Sequence, residues 1–337
     1  MKKITIRDVA KEAGVSVTLV SFVLNAKVGE DGKLDCPVNV NTAARVLAVA
    51  QKLGYKRNNA AASLRSGRSH TLAVIITDIA SPFFAEMCRN IENIAYKAGY
   101  TVIFASSDES APKFSQLVDA MIGYNVEGLI VAPCPGSEPI LERMQFYNIP
   151  TVLIDRDVPG DSFGRVLVDN VHSGRQAAEY LIKNGSRKIE MFSYSLDIQS
   201  LVDRVAGYEE AMKDAGLKEN IRVHRLSSSP VNVEAEVYEV MKEAKERGVE
   251  AFIFPSKRMA ILAFSAMQAL DMRFNKDLYC VCFDESDVYN LSVPPIPHIV
   301  QPLGEIALRA FNLFQKMLKE DVPPEEKNIL LKTEFIK

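Results

Sequence analysis

From residue 70 onward, short apolar runs alternate with amphipathic stretches of helical length, and this rhythm constrains the fold more than any other feature. TLAVIIT is followed by PFFAEMCRNIENIAYKAG, and YTVIFAS by a helical stretch through residue 124. GLIVAP, PTVLID, FIFPS and YCVCFD continue the alternation. Such a strand–helix rhythm builds parallel sheets covered on both faces, the doubly wound α/β architecture. A faint internal repeat divides it: strand, loop and helix at 71–98, ending in Gly99, recur at 188–215, ending in Gly216. Two similar lobes presenting loops at their strand C-termini would face each other across a cleft, where open α/β sheets bind ligands.

The first 68 residues are of a different kind. They hold twelve Lys and Arg against five Asp and Glu, a surplus of seven positive charges, whereas the remaining 269 residues carry an excess of ten negative ones. A small basic head on an acidic body suggests that one end meets a polyanion. The head reads as short helices. Thr5 is placed to cap Ile6–Ala13 with Asp8 as its capping-box partner, and Gly14 to end that helix in the left-handed conformation. Ser16 then caps a second helix, Val17–Asn25. A link of about three residues makes the pair a helix-turn-helix, with Val9, Ala10, Val15, Val20 and Val23 or Leu24 as shared core. A third helix is expected over Asn41–Leu53, with Val46, Ala50 and Leu53 inward. Residues 26–39, with two glycines, a proline and five charges, read as a loop. Residues 55–68 are Ala-rich and basic, enough for about two helical turns, which is marginal alone in water.

Other chemistry finds no support. No two glycines are two apart, and GxxxxGK, GxSxG and HExxH are all missing. The four histidines are scattered. Five cysteines lack zinc-knuckle spacing, and Cys280 and Cys282 share one face of a strand, so buried thiols are expected rather than a metal or a disulfide. No cofactor is implied. The basic N-terminus lacks the apolar run of a signal peptide, and no apolar stretch is long enough to span a bilayer, so the cytoplasm is the expected compartment. A carbohydrate enzyme on the α/β scaffold remains open, since a pair of carboxylates leaves no motif.

The chain resembles the LacI/GalR family of bacterial transcription regulators over essentially its full length. The resemblance rests on ITIRDVAKEAGVSVTLVSFVLN, VNVNTAARVLAVAQKLGYKRNNAAASLRSGRS, SPFFAEMCRNIENIAYKAGY, VLIDR, VDNVHSGRQAAEYLIKNGSRKI, RVAGYEEAMKDAG and VCFDESDVYNLSVPPIPHIVQPLGEIA, in this order and spacing. It implies a helix-turn-helix head at 1–56, a hinge helix or linker at 57–69, and a core at 70–337 like the periplasmic sugar-binding proteins. The first lobe would comprise about 70–166 and 301–322, the second about 167–300 and 323–337. It further implies a homodimer on a pseudo-palindromic operator, a repressor more readily than an activator, whose DNA affinity a small effector shifts. No heptad pattern follows NILLKTEFIK, so nothing suggests a coiled-coil tetramer.

The resemblance makes Val17–Asn25 the recognition helix of the major groove. Val17, Thr18, Ser21 and Phe22 should project from it, Thr18 and Ser21 toward base edges or phosphates and Val17 toward a thymine methyl. Thr5, Ser16 and Asn25 complete the head residues expected at the duplex. The family usually has Arg at Phe22 and Thr at Leu19. Phe cannot grip guanine as Arg can, so the half-site should tolerate thymine there, unless Phe22 packs against the head. In the hinge NAAASLRSG, the resemblance makes Leu64 a minor-groove wedge and places Ala61 near the groove floor; Leu64 could instead dock on the core. Lys27 and Lys33 could reach phosphates, or their loop could be solvated.

At the effector end the resemblance points to Phe83 and Phe84, one of them core and one free to stack on a sugar or base. It also points to Asp155 and Arg156, as ligand groups or as an interlobe salt bridge. Arg204 would grip a ring oxygen or carboxylate, Asp284 would accept from a hydroxyl or ring NH, and Gln301 lies on a crossover. Ser256 and Lys257 stand where the family has Asn-Asp; the gained cation raises the prospect of an acidic ligand, a uronate or a sugar phosphate, unless Lys257 faces solvent.

Overall fold

Helix α1 (Ile6–Ala13) begins at a reciprocal capping box. Thr5 Oγ1 accepts from the Asp8 amide at 3.4 Å, and Asp8 Oδ2 accepts from the Thr5 amide at 2.8 Å. It stops at Gly14, whose φ of 65° closes the last turn. Ser16 caps α2 (Val17–Asn25) through the Leu19 amide at 3.1 Å. In the computed structural model, which describes residues 4–28, 34–55, 67–196, 198–227 and 232–337, the third helix, α3, spans Val40–Lys52, one residue earlier than the periodicity predicts, because Asn39 rather than Val40 supplies the cap. Val9, Ala10, Ala13, Val20, Val23, Ala43, Val46 and Ala50 bury together as the core of this head. The 26–39 segment is not wholly irregular: β1 (Lys27–Val28) pairs antiparallel with β2 (Leu34–Asp35), Lys27 opposite Asp35. Two paired residues in each strand suffice for a short ladder, which no period-2 signal reveals.

The head, Met1–Ser69, and the core, His70–Lys337, are separate units. The core holds two six-stranded sheets. The first collects β3 (Thr71–Ile76), β4 (Thr101–Ser106), β5 (Gly128–Val131), β6 (Thr151–Ile154), β7 (Gly164–Val168) and β13 (Asn328–Leu331), all parallel, in the order β13–β7–β6–β5–β3–β4. The second collects β8 (Ile189–Tyr194), β9 (Arg222–Leu226), β10 (Ala251–Phe254), β11 (Tyr279–Phe283), β12 (His298–Val300) and β14 (Glu334–Ile336), in the order β14–β12–β11–β10–β8–β9, with only β14 antiparallel. The two halves of the internal repeat are β3 and β8 with their following helices, and they occupy equivalent places one strand in from an edge.

Each sheet is covered on both faces, as continuous apolar strands require. On the first, α4 (Pro82–Lys97) and α11 (Leu303–Met317) bury Met87, Ile91, Phe311 and Phe314 on one side. On the other side, α5 (Ala111–Gly123) and α6 (Glu138–Phe146) bury Phe114, Val118, Leu141 and Met144. On the second sheet, α7 (Asn170–Lys183) and α8 (Gln199–Asp214) cover one face, and α9 (Val233–Arg247) and α10 (Lys257–Ala269) the other. Cys280 and Cys282 lie in the same cluster beneath α9 and α10, both buried thiols.

The lobe boundaries differ from those expected. The chain leaves the first lobe only after β7 at Val168, returns after β12 at Val300, and crosses finally between β13 and β14. Residues 328–331 therefore belong to the first lobe rather than the second, because pairing to β7 leaves only Lys332 and Thr333 for the crossing. Three crossovers join the lobes side by side, the arrangement of a hinge.

Candidate nucleic-acid interface and effector cleft

On α2 the apolar side chains divide. Val20 and Val23 face the core, while Val17 and Phe22 are 40% and 51% exposed, and Thr18 is exposed beside them. Phe22 is thus presented to solvent rather than packed against the head. Ser21 departs from expectation. It is buried, and its hydroxyl and carbonyl accept from Asn25 Nδ2 at 3.0 and 2.6 Å. One helical turn separates the two, so Ser21 locks the orientation of Asn25 instead of facing outward. Thr5 and Ser16 are exposed caps. The Ser16 oxygen, which accepts from the Leu19 amide, keeps spare acceptor capacity and its proton, whereas Thr5 Oγ1 donates its proton to Asp8 Oδ2 at 2.7 Å and keeps only acceptor capacity. Leu19 is half-buried against the core. Ala61, Leu64 and Lys33 lie outside the described residues, as does the side chain of Lys27.

The cleft is formed where the strand C-termini of both lobes converge. Phe84 is buried in the first lobe's core, 5.0 Å edge-on from Phe83, so Phe83 alone is left to meet a ligand. A cavity of about 80 Å³ is lined by Phe83, Glu86, Lys257, Asp284, Glu285 and Gln301, among others. Typical ligand pockets exceed about 300 Å³, so a sugar-sized guest requires the lobes to part.

In the second lobe, Arg204 of α8 is 4% exposed. Its Nε donates to Asn170 Oδ1 at 2.8 Å and its Nη1 to the Pro255 carbonyl at 2.6 Å, and the guanidinium lies 4.2 Å over the Phe283 ring. Among the described residues Nη2 has no hydrogen-bond partner. Burial pulls the guanidinium below its ordinary pKa, and the charges of Asp284 and Asp155 oppose that. Asp284 accepts from Gln301 Nε2 at 2.8 Å and from the Lys257 amide at 3.3 Å. Ser256 caps α10 and meets the Tyr194 hydroxyl at 3.1 Å. The Lys257 side chain is half-buried at the cavity wall, not in open solvent.

What lets Arg204 reach Asn170 is a backbone-to-backbone crossing of α7 and α8. A Cβ on Gly174 would fall 2.0 Å from the Arg204 carbonyl oxygen, and one on Gly207 1.9 Å from that of Val171. Only glycine permits this approach.

In the first lobe Arg156 makes no interlobe salt bridge among the described residues, the alternative the sequence had left open. Arg156 donates Nη1 to Glu109 Oε2 and Nη2 to Glu109 Oε1, both at 2.7 Å, with Nη1 also on the Pro133 carbonyl at 3.2 Å. All of these partners are in its own lobe. Asp155 lies 3.4 Å from Arg156 Nε. Burial lifts the Asp155 carboxyl above the ordinary aspartate range, despite Arg156 and Arg204. Asp155 and Asp284 both adopt left-handed backbone, φ 64° and 68°, directly after their strands, the kind of strain that collects at ligand sites. Glu109, Asn170, Phe283 and the Pro255 carbonyl carried no assignable signal in the sequence. Asn170 and Phe283 did stand within recognisable segments, VDNVHSG and VCFDES.

A helix-turn-helix head carried on a bilobed core with a charged interlobe cleft defines a ligand-responsive DNA-binding regulator. Residues 5–58 match the bacterial regulatory proteins of the lacI family, and residues 72–289 match a periplasmic binding protein domain. The chain is 29% identical to the HTH-type transcriptional regulator RegA of Clostridium saccharobutylicum, over 98% of this chain and 97% of that one. It is 27% identical to the ribose operon repressor of Escherichia coli K12, over 90% and 91%. Its fold is that of the Lac repressor dimer bound to operator and the anti-inducer ONPF, with a TM-score of 0.80 at 20% identity, over 100% of this chain and 98% of that one. The chain belongs to the LacI family: it is a DNA-binding transcription regulator and not an enzyme. Among the described residues no helix is long and apolar enough to cross a membrane.

Proposed function

We propose that this protein is a cytoplasmic, homodimeric repressor that releases or grips its operator according to whether a sugar or sugar acid occupies the interlobe cleft. The observation that carries the effector half is Arg204: a buried guanidinium, two arms fixed by Asn170 and Pro255 and one arm unpartnered, under the charges of Asp155 from one lobe and Asp284 from the other. A polyol ring suits that set, since hydroxyls donate to the carboxylates and a ring oxygen accepts from Nη2. Phe83 offers an apolar face, and Lys257 and Gln301 line the same wall. The ribose operon repressor among the relatives supports a sugar.

At the DNA end, α2 enters the major groove with Val17, Thr18 and Phe22 toward the bases, Asn25 held ready by Ser21, and Thr5 and Ser16 near phosphates. Ala61 and Leu64 reach the minor groove from a segment too short to be helical alone, so two hinges order together on DNA. Effector binding changes lobe spacing and thereby hinge pairing. The test is calorimetry of the full chain against neutral sugars, uronates and purines, followed by operator binding with and without each ligand that binds. A sugar or uronate that changes operator affinity at least tenfold is expected. If only purines bind, or if bound sugars leave operator affinity unchanged, the proposal fails. A specific-to-random affinity ratio near unity across a salt titration would instead indicate a general DNA-associated sensor.

A further inference from the structure

We infer that Glu109 is a specificity determinant of the effector cleft, one that closes the Arg156 fork to anions and leaves the site to a neutral polyol. This inference rests on the sugar-responsive reading above and narrows it.

Arg156 sits at the end of β6, at the cleft edge of the first lobe. A free guanidinium there would be the natural seat for a ligand carboxylate or phosphate, since a bidentate pair matches its planar donors. Glu109 already fills that seat with both oxygens at 2.7 Å. The remaining Nη1 contact goes to the Pro133 carbonyl, and Nε faces Asp155. The Nη1/Nη2 edge that would take a bidentate anion is thus filled by Glu109, while Nε is buried and makes no hydrogen bond of its own.

The carboxylate is delivered by an unusual turn. Asp108 and Glu109 are successive non-glycine residues at φ 52° and 56°. Such conformations are strained for residues with a Cβ and persist only where surrounding contacts enforce them. Here the Ser107 and Asp108 amides donate to the Ile76 and Thr77 carbonyls, both at 2.8 Å, and Lys113 pairs with Asp108 at 2.5 Å. The turn is anchored to β3 on one side and to α5 on the other, so Glu109 is aimed at Arg156 rather than meeting it by chance.

The charge around the cleft leads the same way. Glu86, Glu109, Asp155, Asp284 and Glu285 provide five carboxylates against the cations Arg156, Arg204 and Lys257. An anionic guest would meet a net negative wall with its best cation occupied. A neutral polyol meets acceptors for its hydroxyls at Asp155 and Asp284 and one donor at Arg204 Nη2.

The full chain and its Glu109→Gln and Glu109→Ala variants are titrated with D-ribose, D-glucose, D-glucuronate and inorganic phosphate by calorimetry, with thermal melting as a check on folding. The wild-type protein should bind a neutral sugar at least tenfold more tightly than glucuronate or phosphate. Both variants should gain at least tenfold for glucuronate or phosphate, and adding Arg156→Gln should abolish the gain. Wild-type preference for the acid, or no anion gain in a variant that melts cooperatively, overturns the inference. If wild type binds neither sugar while the variants gain anion binding, the Glu109 inference stands and the sugar-responsive reading falls.

Discussion

Phe22 stands where the family resemblance leads one to expect Arg. It is large, apolar and half exposed on the helix assigned to the major groove, where a solvated helix should be polar. Site selection on random duplexes should return a half-site enriched in thymine opposite Phe22. Phe22→Arg should move that position to guanine, with discrimination of about 1–3 kcal/mol. A strict guanine in wild type that disappears on Phe22→Ala would contradict it. Glu190 is a second informative residue. It is buried on β8, accepts from His224 Nε2 at 2.6 Å and from Arg247 Nη2 at 2.9 Å, and lies 3.8 Å from Arg222. Burial alone would raise its pKa. The His224 hydrogen bond and the charges of His224, Arg247 and Arg222 outweigh burial and hold it below the ordinary 4.5. Its ionised form therefore stabilises the second lobe above pH 4.5, and the contribution is lost as pH falls through the depressed value. Glu190→Gln should cost about 2 kcal/mol at pH 7 in denaturant melts, and the gap to wild type should narrow as pH falls below 4.5. A gap that stays constant down to the acid unfolding of wild type would show the loss to be one of packing.

Elements explain why side chains far apart in sequence meet. The α7–α8 pair crosses so closely that Gly174 and Gly207 press against the opposing backbone. Ala at either position must push the helices apart, costing at least about 1–3 kcal/mol. The shift would also draw Arg204 Nε from Asn170. Both variants should show a lowered melting temperature together with weaker effector binding, while a distant core change such as Ile91→Val should lower the melting temperature and leave effector affinity alone. Full effector affinity in Gly207→Ala would separate the crossing from the site. The caps and periodicities of α1, α2 and α3 were legible in the sequence because they depend on residues three or four apart. The two-residue strands β1 and β2 were not, since so short a ladder carries no periodic pattern.

At the scale of the whole molecule, two sheets share three crossovers, and a cavity too small for a sugar lies between them. On the proposed function, effector binding alters the spacing of the lobes, and hinge pairing converts that spacing into DNA affinity. Replacing residues 58–66 with a Gly-Ser spacer should weaken cognate operator binding by at least tenfold in anisotropy titrations and remove its effector dependence, while calorimetric effector binding by the core stays as in wild type. Unchanged, effector-sensitive operator binding would refute this coupling. The doubly wound class, the two lobes and the head were available from the amino-acid order, because periodicity, repeats and caps are local patterns, whereas Arg204 and Asp284 were singled out by the family resemblance. Only the tertiary structure decided that Phe84 is core, that Ser21 turns inward to Asn25, that residues 328–331 return to the first sheet and that Arg156 is spoken for by Glu109. The reason is geometric: Glu109 and Arg156 stand 47 residues apart and Asn170 and Arg204 34 apart, and only the order of parallel strands and the crossing of two helices bring such pairs to one edge.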